Sequence, residues 1–184
     1  MNLVKIFIVL IPLLLMTGCV QEPLHNITIS EHNVEYVFTS DVREALQVPA
    51  NNPQEIRDML LENYRINLVF DGSDAQDNGL VSVALFDITS KLTTYFISEN
   101  ISKEFAIYYH IDDQWYDIKK EEIEKPDFDK EDEVTLWMLG PRTGATKTSV
   151  NLEGRTITVE GTSRENMAKA ADKLVLIVMG IEKV

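Results

Sequence analysis

Asp71, Asp74 and Asp77 recur every third residue in the run Asp71-Gly-Ser-Asp-Ala-Gln-Asp-Asn-Gly79. Hard cations such as Ca²⁺ take carboxylate and backbone oxygens from loops of this kind. The alternating ligands and closing glutamate of the EF-hand pattern are missing, so a turn competes with a cation site. In the turn reading, Asp77 or Asn78 caps a following helix, and Gly72 and Gly79 let the chain bend. No metal or other cofactor is assigned. A second run, Gly140-Pro-Arg-Thr-Gly-Ala-Thr-Lys-Thr-Ser149, sets Arg142 and Lys147 among glycines and hydroxyls. Backbone amides and cations in such a loop suit an anion. The glycine and lysine spacing is not that of a P-loop, and a strand follows where that motif needs a helix. A carboxylate of a partner, or a glycan, is therefore expected there rather than a nucleotide. The acidic run Asp127 to Glu133 reads as a solvated connector.

Nucleophilic catalysis needs an activated Ser, Cys or Lys beside a base and an orienting group. The sole cysteine is Cys19, His25 and His32 lie near the N-terminus, and His110 falls in an apolar run that suits a strand. Gly-x-Ser-x-Gly, His-Glu-x-x-His and Cys-x-x-Cys patterns are absent. The reading leans to a non-enzymatic binding module. A hydrolase using two carboxylates stays open, because their separation is not readable from sequence. Among the aromatic residues, Trp137 is expected in the core, and Trp115 follows a turn and is a candidate partner contact.

Local patterning positions these residues. Glu35 to Thr39 is strand-like, and Ser40 could cap a short helix through Leu46. Asn52-Pro53-Gln54-Glu55 begins a helix whose apolar residues Ile56, Met59 and Leu60 share a face. Arg65 to Asp71 reads as a buried strand, and Gly79 to Ser98 as an amphipathic helix on Val81, Ala84, Leu85, Ile88, Leu92, Tyr95 and Phe96. Phe105 to Ile111 is a strand, Asp112-Asp113 a turn, and 117–133 a charged connection. Val134 to Leu139 is a further buried strand. Val150 to Leu152 and Thr156 to Val159 flank Glu153-Gly154 as a hairpin. The spacing of Thr162-Ser-Arg-Glu165 suggests a capping box that opens a helix to Met179, with Gly180 as its C-cap. Strand, helix, strand at these distances implies a βαβ crossover. The expected fold is α/β: a mixed sheet with a βαβ unit and a C-terminal hairpin and helix, the helices packed on the sheet. Loops 71–79 and 140–149 then lie beyond strand ends, where such sheets bind ligands.

The N-terminus carries Lys5, an apolar run from Ile6 to Met16, and Thr17-Gly18 before Cys19. This is the layout of an export signal. The segment Met16-Thr17-Gly18-Cys19 resembles the lipobox of prokaryotic membrane lipoproteins, with methionine where that family usually has leucine. The resemblance implies cleavage before Cys19 and a diacylglyceryl group on its thiol. Two acyl chains hold a protein stably on a membrane. The apolar run is shorter than the roughly 20 residues a span needs. Organisation follows: 1–18 signal peptide, 19–33 lipidated cysteine and tether, 34–184 a single globular domain. The location is then the outer face of the cytoplasmic membrane or the cell envelope, with an envelope protein or glycan as partner.

The chain's net charge of −13 argues against nucleic acid, and loss of residues 1–18 removes only one basic residue, Lys5. Asn26-Ile-Thr28 and Asn100-Ile-Ser102 match the N-glycosylation sequon, so Asn26 and Asn100 are candidate acceptors in a host that glycosylates exported proteins. The function expected is that of a membrane-anchored extracytoplasmic lipoprotein acting as a binding or interaction module. The alternative is a lipoprotein that holds a small solute or cation between loops 71–79 and 140–149.

Overall fold

The computed structural model describes residues 23–29, 34–119 and 121–184. Cys19 and the proposed signal lie outside them. The elements in chain order are β1 (Asn26–Ile29), β2 (Val34–Val37), α1 (Val42–Gln47), α2 (Pro53–Glu62), β3 (Arg65–Asp71), α3 (Ala75–Ser98), β4 (Glu104–Ile111), β5 (Gln114–Asp117), β6 (Glu122–Ile123), β7 (Glu133–Leu139), β8 (Ser149–Glu153), β9 (Thr156–Glu160) and α4 (Arg164–Met179). Seven strands form one mixed sheet in the order β6-β5-β4-β3-β7-β9-β8. Central β3 pairs in parallel with β4 and β7, and β7 with β9; the outer pairs are antiparallel. The fold is α/β, and β3-α3-β4 is the βαβ unit.

Period-2 alternation splits the sheet's side chains between its faces. Ile66, Leu68 and Phe70 of β3 align with Val134, Leu136 and Met138 of β7, and these with Ile157 and Val159 of β9. They meet the apolar stripes of α3 and α4 in a single core. Helices α1 and α2 pack on α4, which is apolar nearly all round from Leu174 to Met179 because neighbours cover several of its sides. Its cap lies one residue later than the capping-box reading placed it: Ser163, not Thr162, accepts from the Asn166 amide. Gly180 closes the helix at φ 71°, a conformation that suits glycine. Gly161 has to lack a side chain, since a Cβ there would lie 2.3 Å from the Met167 Cα.

The edges explain two departures from the sequence reading. The tether was expected to run to residue 33, but β1 pairs antiparallel with β2, which lies within the domain. A four-residue strand carries little local signal; this one is specified by its partner. The hairpin is locked by Asp172 of α4, buried and accepting from the Ser40 amide and hydroxyl at 2.7 Å each and from Lys91 Nζ at 2.9 Å. Ser40 thus serves this site, and Asp41 caps α1 by accepting from the Arg43 amide. The second departure is β5, which begins after a two-residue turn with Asp112 at φ 48° and Asp113 at φ 65°, as a tight hairpin demands. On the far edge, the Asn51 side chain stands in for a strand: it accepts from the Leu152 amide at 2.6 Å and donates to the Leu152 carbonyl at 3.0 Å. This satisfies an edge that would otherwise be open to pairing.

Candidate functional site

The loops after β3 and β7 do meet, as their placement at strand ends requires, but they spend their polar groups on each other. Helix α3 starts at Ala75, four residues before the predicted Gly79, with Asp74 as its N-cap accepting from the Gln76 and Asp77 amides. The Asp77 amide, the Gln76 amide and nearby Arg142 hold the Asp74 carboxyl below the usual carboxylate range. Asp77, expected as a cap or ligand, lies inside the first turn and is 2% exposed. Its Oδ2 accepts from the Arg142 amide at 2.6 Å, the Thr143 amide at 2.8 Å and the Thr143 hydroxyl at 3.1 Å. Loop 140–149 is therefore an anion cradle, and its anion is the chain's own carboxylate. Gly140 makes room for it: a Cβ there would lie 2.5 Å from Asp77 Oδ2.

The remaining residues of this group are dispersed. Asp71 accepts from the Ser73 amide and hydroxyl. Arg142 reaches Asp74 at 3.5 Å with its guanidinium exposed, and Lys147 lies 3.9 Å from Glu160. No group of three or more His, Cys, Asp or Glu side chains is arranged to hold a metal among the described residues. His110 Nε2 lies 3.9 Å from Asp71 Oδ2, so Asp71 stands between Ser73 and His110. A nucleophilic triad needs the histidine in the middle position.

The face of the sheet without helices carries an aromatic cluster. Trp115 and His110 have ring centroids 5.2 Å apart, and Trp137 stands edge-on to Trp115 at 6.1 Å. Phe128, from the connection between β6 and β7, packs on Trp115 at 5.4 Å and on Trp137 at 6.3 Å. Trp137 thus lies opposite the main core, half-buried under this strap, and not inside the core as expected. Trp115, singled out as a partner contact, has its ring flanked by His110, Phe128 and Trp137.

The larger concavity is on the other face. Helix α3 packs over β3 and β7 and reaches the start of β4, where Phe96 meets Phe105 at 6.5 Å, leaving the rest of β4 less covered. This leaves a groove of about 660 Å³. Its floor is Ile107, Tyr109 and Ile111 of β4, its wall Leu85 and Phe86 of α3, and its end Ile118. Tyr109 is held between Phe70 and Tyr116 in stacks of 5.6 and 5.3 Å. Asn78, Ser82 and Thr89 add a polar edge along α3. Phe86 is 77% exposed and Ile118 63%. The size and lining, apolar with a few polar groups, are those of a ligand site.

A second cleft of about 470 Å³ separates α3 from α4, with Leu80, Val83, Ala84 and Met167 in its walls and Arg142 and Arg164 at its rim. The sequence held a signal for the exposed apolar surface. Val83 and Phe86 are apolar residues off the core stripe of α3, on the side where a solvated helix would carry charge. Of the sequons, Asn26 is exposed on β1 and donates to Glu35 at 2.7 Å, and Asn100 is exposed just past α3 at φ 58°. No protein-family model, no curated protein and no solved structure matches this chain.

Proposed function

We propose that the protein is a lipid-anchored, extracytoplasmic binding module that takes an apolar group in the groove between α3 and β4, without catalytic chemistry of its own. The observation that carries the reading is the groove: Phe86 and Ile118 stand exposed at its rim above Ile107 and Tyr109. Exposed apolar area on this scale is retained where something covers it. The anchor half of the reading is supported by the signal layout that ends at Cys19. The alternative solute or cation site lacks support for a simple reason. Asp77 and the loop amides that would bind such a ligand bind one another.

Titration of the mature chain with an environment-sensitive fluorescent fatty acid tests the groove. Saturable binding at one site is expected. Ile118→Glu changes an exposed residue, so the fold should survive it, while a charge placed at the groove end should weaken the probe at least about tenfold, or ~1.4 kcal/mol. Equal affinity in Ile118→Glu and in Ile107→Glu, each with unchanged circular dichroism, would remove the groove from the proposal.

A further inference from the structure

We infer that the outer face of α3 lies on the membrane surface, with Val83 and Phe86 pressed into the lipid headgroup layer. This deepens the proposal above and rests on its lipid anchor. Three observations meet here. The first is the tether. Once β1 is part of the domain, only four residues separate Cys19 from Leu24, the first residue whose backbone the domain holds, a reach of at most about 18 Å. A diacylated Cys19 on that leash brings the domain against the bilayer instead of letting it float.

The second is where the leash ends. The Leu24 carbonyl accepts from the Val42 amide at 2.8 Å, and the His25 carbonyl from the Phe38 amide at 2.6 Å. The next residue, Thr39, hydrogen-bonds Asp87 of α3 at 3.3 Å and lines the cleft that Val83 also lines. The chain therefore enters the domain at the turn between β2 and α1, the segment that touches α3 through Thr39.

The third is the chemistry of the outer face of α3. Helix α3 has 24 residues, about 36 Å of axis. Its exposed residues are Ala75, Gln76, Gly79, Ser82, Val83, Phe86, Ser90, Thr94 and Ile97, and none carries a charge. Of the three charges on α3, Asp77 is buried in the loop clasp, Lys91 is buried against Asp172, and Asp87, partly exposed beside the cleft, is paired with Lys91. In a chain of net charge −13, a long exposed surface without a carboxylate is what an anionic bilayer would tolerate. In the adjoining cleft Arg142 and Arg164 stand beside Asp77 and Asp87, so the carboxylates there are matched by cations. The helix is long and apolar enough to cross a membrane by composition, yet its core stripe is buried against the sheet. It lies flat, as interfacial helices do.

The test uses full-length chains with a fluorescent amino acid at position 83 or, as a control, in place of Tyr64, which is exposed at the other end of β3. Mature protein is extracted from host membranes, its intact mass measured, and it is reconstituted in phosphatidylcholine–phosphatidylglycerol vesicles bearing headgroup nitroxides. Quenching at 83 and not at 64 is expected. Equal quenching at both, or at neither, overturns the proposal even where the mass shows a diacylated Cys19. Shielding at 83 that appears without vesicles and grows with protein concentration assigns the face to a second copy, and also overturns it. A mass without lipid removes the anchor reading instead. The same two chains coupled through Cys19 to a maleimide lipid then decide the face by the same quenching criterion.

Discussion

The strand-end loops and the groove beneath α3 are opposites. In the loops, polar groups that looked available are internally paired: one Asp77 carboxylate oxygen takes three donors from the neighbouring loop. In the groove, apolar groups are left uncovered, with Phe86 and Ile118 mostly in water. The difference teaches that residue type alone does not mark a site. A carboxylate beside backbone donors is satisfied and inert, whereas an apolar side chain with no neighbour still has free energy to gain from a ligand, about 25 cal/mol per Å² covered.

Asp77→Ala gives the largest effect. It leaves the Arg142 and Thr143 amides and the Thr143 hydroxyl short of an acceptor at a mostly buried position. Urea unfolding should show a loss of about 3 kcal/mol. Fatty-acid probe affinity should stay as it is, since the clasp and the groove lie on different flanks of α3. A loss below about 1 kcal/mol, with the loop still ordered, would mean that the clasp is dispensable and the loop is free to take an external anion.

Phe86→Ala reverses the pattern. The ring is already 77% exposed, so stability should move by no more than about 0.5 kcal/mol. Probe affinity should fall about tenfold. Destabilisation comparable to that of Asp77→Ala would place Phe86 in the core and erase the contrast between the two regions.

What was legible in the sequence divides along the same line. β3, β7 and the core stripe of α3 announce themselves because their periodicity is local and their burial is complete. The parallel β3-α3-β4 unit followed from order and spacing alone. β1, β5 and β6 were missed because they are short strands at or next to a sheet edge, whose conformation is decided by the strands beside them. The groove was hidden for a different reason. Ile107 has the residue type of core and is only half-buried, because its exposure depends on whether a helix covers this stretch of β4. The chain between β4 and β7 forms the β5–β6 hairpin and sends Phe128 to the opposite face, so it supplies no such helix. Nothing local to Ile107 encodes that.

Arg142→Ala should have the smallest effect, and it is the sharpest probe of what residue type conceals. Arg142 drew attention as a cation in an anion-binding loop of an acidic chain. It does hold an anion, but through its main-chain amide, 2.6 Å from Asp77. Its guanidinium is largely in water and reaches Asp74 at 3.5 Å. Exposed pairs of this kind contribute about 0–1 kcal/mol, and alanine keeps the amide, so stability should change by no more than about 0.5 kcal/mol. Alanine should also leave the clasp geometry and the fatty-acid probe affinity as they are. Proline at 142 would remove the amide and keep the side-chain loss, and should approach the Asp77→Ala result. If alanine were as damaging as proline, charge and not main-chain donation would be holding the two loops together.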